Sequence, residues 1–237
     1  MAPPSFDRLE KRIGYEFQNR GLLQEALTHS SSAREASRPT RDNERLEFLG
    51  DAVLNLSVTL KLIDTFPDYD EGKLSLARSS LVAASYLSGV AVALDLGKFL
   101  RLGQSEEKSG GRSKPGILAD ALEALLAAVY LDGGLESARR MVEQVMLPQD
   151  LPAQVDELFA TNYKGALQEH LQAGRQSSAQ YRVVSETGVE HQKTFTVEVQ
   201  AGEGVVAHGS GCSKKSAQQQ AAKRALAILT AKVEENG

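Results

Sequence analysis

Asn43-Glu44-Arg45-Leu46-Glu47-Phe48-Leu49-Gly50-Asp51-Ala52-Val53-Leu54 is the stretch on which the reading of the whole chain turns. It sets three acids within eight residues of a largely apolar run. Successive residues of an α-helix turn by about 100°, so with Glu44 as origin Glu47 falls at about −60° and Asp51 at about −20°. The three carboxylates therefore share one narrow face. Leu46, Leu49, Val53 and Leu56 are expected to form the buried side. Phe48 lies about 40° from Glu44 and puts a large ring beside the acids. Clustered carboxylates raise one another's pKa, so the face must be either fully solvated or built around a cation. Gly50 costs about 1 kcal/mol in a helix interior relative to Ala, which points to close approach by another backbone.

Upstream of this helix, Phe6 to Ile13 has amphipathic spacing, with Phe6, Leu9 and Ile13 on one side. Asn19-Arg20-Gly21 reads as a turn, Leu22 to Thr28 as helix, and Ser30 to Asp42 as a polar loop. His29 follows the second helix; it could serve as a base, but a lone His there more commonly has a structural role. Asn43 is a good N-cap residue, and the central helix is predicted to run to Phe66, where Pro67 stops it. Glu71 opens a further helix whose apolar positions continue through Leu81, Val82, Leu87, Val90 and Leu94, interrupted by Arg78 and ended by Gly97. Residues 98–116 form a Gly/Ser/Lys-rich loop whose cations could approach phosphates.

Pro115-Gly116 then precedes an apolar helix, Ile117 to Tyr130, capped by Gly133-Gly134. Its charges, Asp120 and Glu123, are three residues apart and so share a face. An acid pair on so apolar a helix needs a partner. Leu135 to Leu147 is a last helix, and Pro148 and Pro152 flank a breaker segment.

After Thr161 the pattern changes. Tyr163 to Ala173 is amphipathic helix. Tyr181 to Ser185, Thr194 to Val199 and Val205 to Gly209 alternate, carry β-branched residues and are separated by glycine turns, as in a three-stranded meander. Ser213 to Ala231 returns to helix, with Ser213 as N-cap. Lys214 and Lys215 stand at that helix N-terminus, where the dipole and free N–H groups favour anions such as phosphate.

Composition sets outer bounds. The 237 residues suffice for one large or two small domains, and 41% hydrophobic with 24% charged residues is ordinary for a globular protein. No apolar run has the length of a membrane span. Met1-Ala2-Pro3-Pro4-Ser5 lacks the features of a signal peptide. The one cysteine, Cys212, excludes an intrachain disulfide and argues against a cysteine-based zinc site. Cytoplasmic location and no membrane association are the expectations. The net charge of −4 hides an asymmetry: residues 161–237 hold 9 Lys/Arg against 7 Asp/Glu, and the remainder 18 against 24. A mildly basic C-terminal part and an acidic N-terminal part suggest two domains with different tasks.

Four stretches together resemble the ribonuclease III family: NERLEFLGD at 43–51, ALTHS at 26–30, EG-LS--R--LV at 71–82 and ILAD--EA at 117–124. The C-terminal part resembles the double-stranded RNA-binding domain. That likeness rests on Lys164, Leu167-Gln168-Glu169, Gly188, His191, Phe195, Gly209-Ser210-Gly211-Cys212-Ser213-Lys214-Lys215-Ser216-Ala217 and Ala221-Ala222. The chain departs from the families' patterns at Gly116, where Ser is usual, at Gly165, at Val189-Glu190, and at Gln218, where a third Lys often stands.

The resemblance implies an all-α endonuclease domain over residues 1–153, a linker at 154–161, and an α-β-β-β-α (α+β) domain over 162–232. It implies a metal-dependent endoribonuclease acting on double-stranded RNA, such as ribosomal RNA precursors and messenger hairpins. Its products would carry 5′-phosphate and 3′-hydroxyl ends with a short 3′ overhang. Glu47, Asp120 and Glu123 would be metal ligands for Mg²⁺, with Mn²⁺ as substitute. Asp51 and Glu123 would be catalytic, and Glu44 and Glu71 second-tier acids. Lys164, Gln168, His191, Lys214 and Lys215 would contact RNA. The family works as a homodimer through the N-terminal domain, and Phe48 is the residue expected at that interface. Two other classes stay open on sequence: a non-cleaving duplex-RNA-binding regulator or ribosome-associated factor, and a structural helical protein with an acidic face.

Overall fold

The computed structural model describes residues 5–174, 176–188, 193–202 and 204–235, with side chains described to residue 230. The chain divides into two compact units, Met1–Pro152 and Ala153–Gly237.

The first unit is built from helices α1 (Phe6–Ile13), α2 (Arg20–Ala26), α3 (Ser30–Glu35), α4 (Glu44–Thr65), α5 (Glu71–Leu81), α6 (Ala84–Ala93), α7 (Gln104–Lys108) and α8 (Pro115–Met141). At the centre, α8 packs against α4, with α2 and α6 at its other sides. Leu118, Leu122, Leu125, Leu126 and Val129 of α8 are fully or almost fully buried. Each such side chain contributes about 1.5–3 kcal/mol by leaving water. Over residues 117–130 that burial leaves a strip of partly exposed positions, Ile117, Asp120, Glu123 and Tyr130. No single helix among the described residues is long and apolar enough to cross a membrane.

Several expectations need correction. Ser30–Glu35 is helix, not loop: the His29 ring caps it, Nδ1 accepting from Ser31 N at 3.2 Å. Asn43 occupies the N-cap position of α4, but its side chain makes no capping bond. It is buried, and its backbone N donates to Thr28 O at 2.9 Å. Leu56 is 47% exposed and Leu49 only partly buried, because the core side of α4 is rotated toward Leu46, Gly50, Val53, Leu54 and Ser57. The long helix after Glu71 is two, α5 and α6, meeting at 46°. The chain then turns at Asp95, in the left-handed region at φ 55°, before reaching Gly97. Residues 98–116 contain α7 and a short turn, Gly111–Ser113. Helix α8 continues past Gly133-Gly134 with a kink, Gly134 taking φ 77° and ψ 179°.

Helix α9 (Leu151–Thr161) spans the division at Pro152, and the second unit goes on with α10 (Tyr163–Ala173), β1 (Gln180–Thr187), β2 (Thr194–Ala201), β3 (Val205–Gly211) and α11 (Lys214–Glu235). Residues 154–161 are therefore helical. The strands form one antiparallel sheet in the order β1-β2-β3, with a register shift between Val183 and Ser185. Leu167 and Leu171 of α10, Val197 and Val199 of β2, and Ala217, Ala221 and Ala225 of α11 make its core. The small alanines let α11 lie close on the sheet.

Candidate active site

The acidic face of α4 meets the polar strip of α8. A side chain on Gly50 would collide with the backbone carbonyl of Glu123, so glycine is what permits the two helices to touch at this level. The contact brings carboxylate oxygens of Glu47, Asp120 and Glu123 within 4.8 Å of one another. All three are partly buried. Burial raises the Glu47 carboxyl above its ordinary value, and the charges of Asp120, Glu44 and Asp51 push it the same way. Asp120 is raised by burial, against the opposing effect of His29. Glu123 is pushed up to about 7 by burial, then by the charges of Asp51, Asp120 and Glu47. Converging hard oxygen donors whose mutual repulsion a cation would relieve suit a divalent ion of the Mg²⁺ or Mn²⁺ type.

The remaining acids are not among the three that converge, although the charge of Asp51 reaches both Glu47 and Glu123. Asp51 is exposed, and the Asn55 amide holds it by donating to Oδ1 and to the backbone carbonyl, both at 2.9 Å. Asn55 follows Asp51 by four residues, the spacing of neighbours on a helix surface. Glu44 is exposed at the helix start. Glu71 is exposed in the first turn of α5 and accepts from Ser75 Oγ at 2.7 Å. His29 is engaged structurally, capping α3 while its backbone N donates to Arg101 O at 3.1 Å. The loop cations are largely committed. Arg112 binds Glu107 at 2.6 Å and the carbonyls of Gly97 and Leu100, and Lys114 binds Glu106 at 2.6 Å.

In the second unit, Lys214 and Lys215 are exposed at the start of α11. Ser213 Oγ accepts from Ser216 N at 3.1 Å, the expected cap. Lys214 lies over the Phe195 ring, Nζ 5.8 Å from its centre. Lys164 Nζ is 2.9 Å from Gln218 Oε1 and 4.7 Å from the Tyr181 ring centre. Gln168 Nε2 donates to Ser178 Oγ at 3.2 Å. His191, with the neighbouring Val189-Glu190, lies outside the described residues.

Comparison with known proteins follows the same division. Residues 19–150 match the family model for Ribonuclease-III-like proteins, and residues 163–229 the double-stranded RNA binding motif. Ribonuclease 3 of Solibacter usitatus is 47% identical over 91% of this chain and 83% of its own length. Ribonuclease 3 of Caldanaerobacter subterraneus is 45% identical over 93% of this chain and 96% of its own. Among solved structures, the nuclease domain of ribonuclease III from Campylobacter jejuni is similar at 41% identity and a TM-score of 0.56, covering 60% of this chain and 96% of that one. With an acidic centre between two helices, an α-β-β-β-α unit following in the chain and this likeness along nearly its whole length, the chain belongs to the ribonuclease III family and is a double-stranded-RNA-specific endoribonuclease.

Proposed function

We propose that Glu47, Asp120 and Glu123 hold Mg²⁺, with Mn²⁺ as substitute, and that hydrolysis of duplex RNA takes place beside them. The observation that supports this is the meeting of the three carboxylates within 4.8 Å across α4 and α8. When bound, the ion would supply an activated water and neutralise charge on the departing oxygen. Asp51, held by Asn55 outside the three, orients the attacking water and accepts its proton. Water adds at phosphorus, the bond to the 3′ oxygen breaks and that oxygen takes a proton from solvent, leaving 5′-phosphate and 3′-hydroxyl ends. Glu44 and Glu71 contribute negative charge at greater remove. In this reading residues 1–153 cut, 162–232 hold the duplex, and 154–161 join them. Duplex RNA is recognised by shape, through phosphate and 2′-hydroxyl contacts spanning about 16 base pairs. Lys164, Gln168, His191, Lys214 and Lys215 supply those contacts.

The working unit is a homodimer. Phe48 is 84% exposed on the acidic side of α4, and Leu56 and Ile63 are 47% and 49% exposed farther along the helix. A ring so open on its own chain suits a two-fold interface, which presents the same patch twice. Two centres then cut opposite strands and leave a short 3′ overhang. The protein acts in the cytoplasm, on structured RNA such as ribosomal precursors and messenger hairpins. Labelled duplex RNA should be cut with Mg²⁺ and left whole in excess chelator. Glu123→Gln should lower the rate by more than the about 10–100-fold that losing an outer-shell partner of a metal ligand costs, while binding to RNA persists. Full activity of that variant would overturn the assignment. Binding without any cutting by the unaltered protein in Mg²⁺ would favour the non-cleaving alternative.

A further inference from the structure

We infer that Gln218 is a positioning residue that carries the ammonium group of Lys164, from the neighbouring helix α10, onto the phosphate-facing start of α11. The inference rests on reading the start of α11 as the phosphate-holding end of the second unit. On α11 itself that face carries Lys214 and Lys215, and one turn beyond Lys214 the uncharged Gln218. Residues four apart on a helix are surface neighbours. A phosphate approaching Lys214 therefore passes beside Gln218. The amide oxygen of Gln218 accepts from Lys164 Nζ at 2.9 Å, so a positive charge stands there after all.

The arrangement is built rather than incidental. Tyr181 of β1 lies under the same ammonium, 4.7 Å from ring centre to Nζ, which limits its other positions. The start of α10 is also tied to α11 beside it. Lys164 N donates to Gln219 Oε1 at 2.9 Å, and Gln219 Nε2 donates to Asn162 Oδ1 at 3.3 Å. A lysine side chain loses considerable rotamer freedom when ordered. Here part of that loss occurs on folding, before RNA arrives. An amide at 218 is suited to the task, since it directs the ammonium without neutralising it, as a carboxylate would.

The test is the salt dependence of duplex RNA binding by the full chain, measured without divalent metal so that no cutting occurs. Each phosphate neutralised adds about 0.9 to the slope of log affinity against log salt. Lys164→Met keeps the stem over Tyr181 and removes the charge. It should reduce the slope by about one contact, so that the affinity lost between about 50 and about 200 mM salt shrinks roughly threefold. Gln218→Lys in the Lys164→Met background should restore the slope, whereas Gln218→Lys alone should add little because two ammonium groups then compete for one place. A purely structural link between α10 and α11 would change melting temperature but not slope. An unchanged slope in Lys164→Met, together with a reduced slope in Lys214→Ala/Lys215→Ala, overturns this inference alone. Unchanged slopes in both overturn the reading of α11 on which it rests.

Discussion

Asp132 receives three hydrogen bonds from the beginning of the chain: from the Tyr15 hydroxyl at 2.9 Å, Gln18 N at 2.8 Å and Asn19 N at 2.9 Å. Burial acts to raise its carboxyl, but the bonds from Asn19, Gln18 and Tyr15 outweigh that and leave it below the ordinary value of 3.8. Tyr15 is pushed up to about 12 by burial and by the Asp132 bond and charge. A carboxyl lowered on folding adds stability above its unfolded pKa, and that stability disappears as pH falls through the folded value. Asp132→Asn should therefore destabilise the first unit by about 1–2 kcal/mol at neutral pH. Melting curves of the two proteins should converge as pH falls below 3.8. A gap that persists there would show that the charge is not the cause. Nothing local marks Asp132, because its donors lie more than a hundred residues away. Glu47 and Asp51 are different: their common face follows from helical spacing alone. What spacing could not supply is that Asp120 and Glu123 come to that face, since the link between α4 and α8 is tertiary; Gly50 was its one local trace.

Two glycines make the same point for elements. Gly50 has the Glu123 carbonyl against it, whereas Gly116 in the first turn of α8 has open space around it. Gly50→Ala should force α4 and α8 apart, separate the acids and lower cleavage by about 100-fold, the scale of a misplacement near 1 Å. Gly116→Ala should instead stabilise α8 by up to about 1 kcal/mol, because it removes backbone freedom without a clash. Denaturant melts and a duplex-cutting assay on both variants check this; a stabilised, fully active Gly50→Ala would refute the close-approach argument. Periodicity identifies helices with an apolar stripe, and α1 and α10 have the ends that spacing predicts. It fails for α3, Ser30-Ser31-Ser32-Ala33-Arg34-Glu35, which has no stripe and takes its cap from the His29 ring. It also fails at Val82-Ala83, where no breaker residue marks the bend between α5 and α6. There the partners of each helix, not its own residues, set the break.

For the molecule as a whole, Phe48 is the most exposed of the large apolar side chains among the described residues. Phe48→Ala should shift the protein toward monomer at micromolar concentration and reduce cutting of both strands, with helical content unchanged. Sedimentation as an unaltered dimer would rule out that role. The division of the acids between α4 and α8 has a bearing on synthesis as well. Glu47 and Glu123 are 76 positions apart, a distance that takes about 4–15 s to translate at about 5–20 residues per second. A growing chain that has folded α4 still lacks two of the three clustered carboxylates. The lysines of α11 emerge later again. A nascent chain thus assembles this cluster only after α8 has followed α4 out of the ribosome, a delay set by the order of its helices.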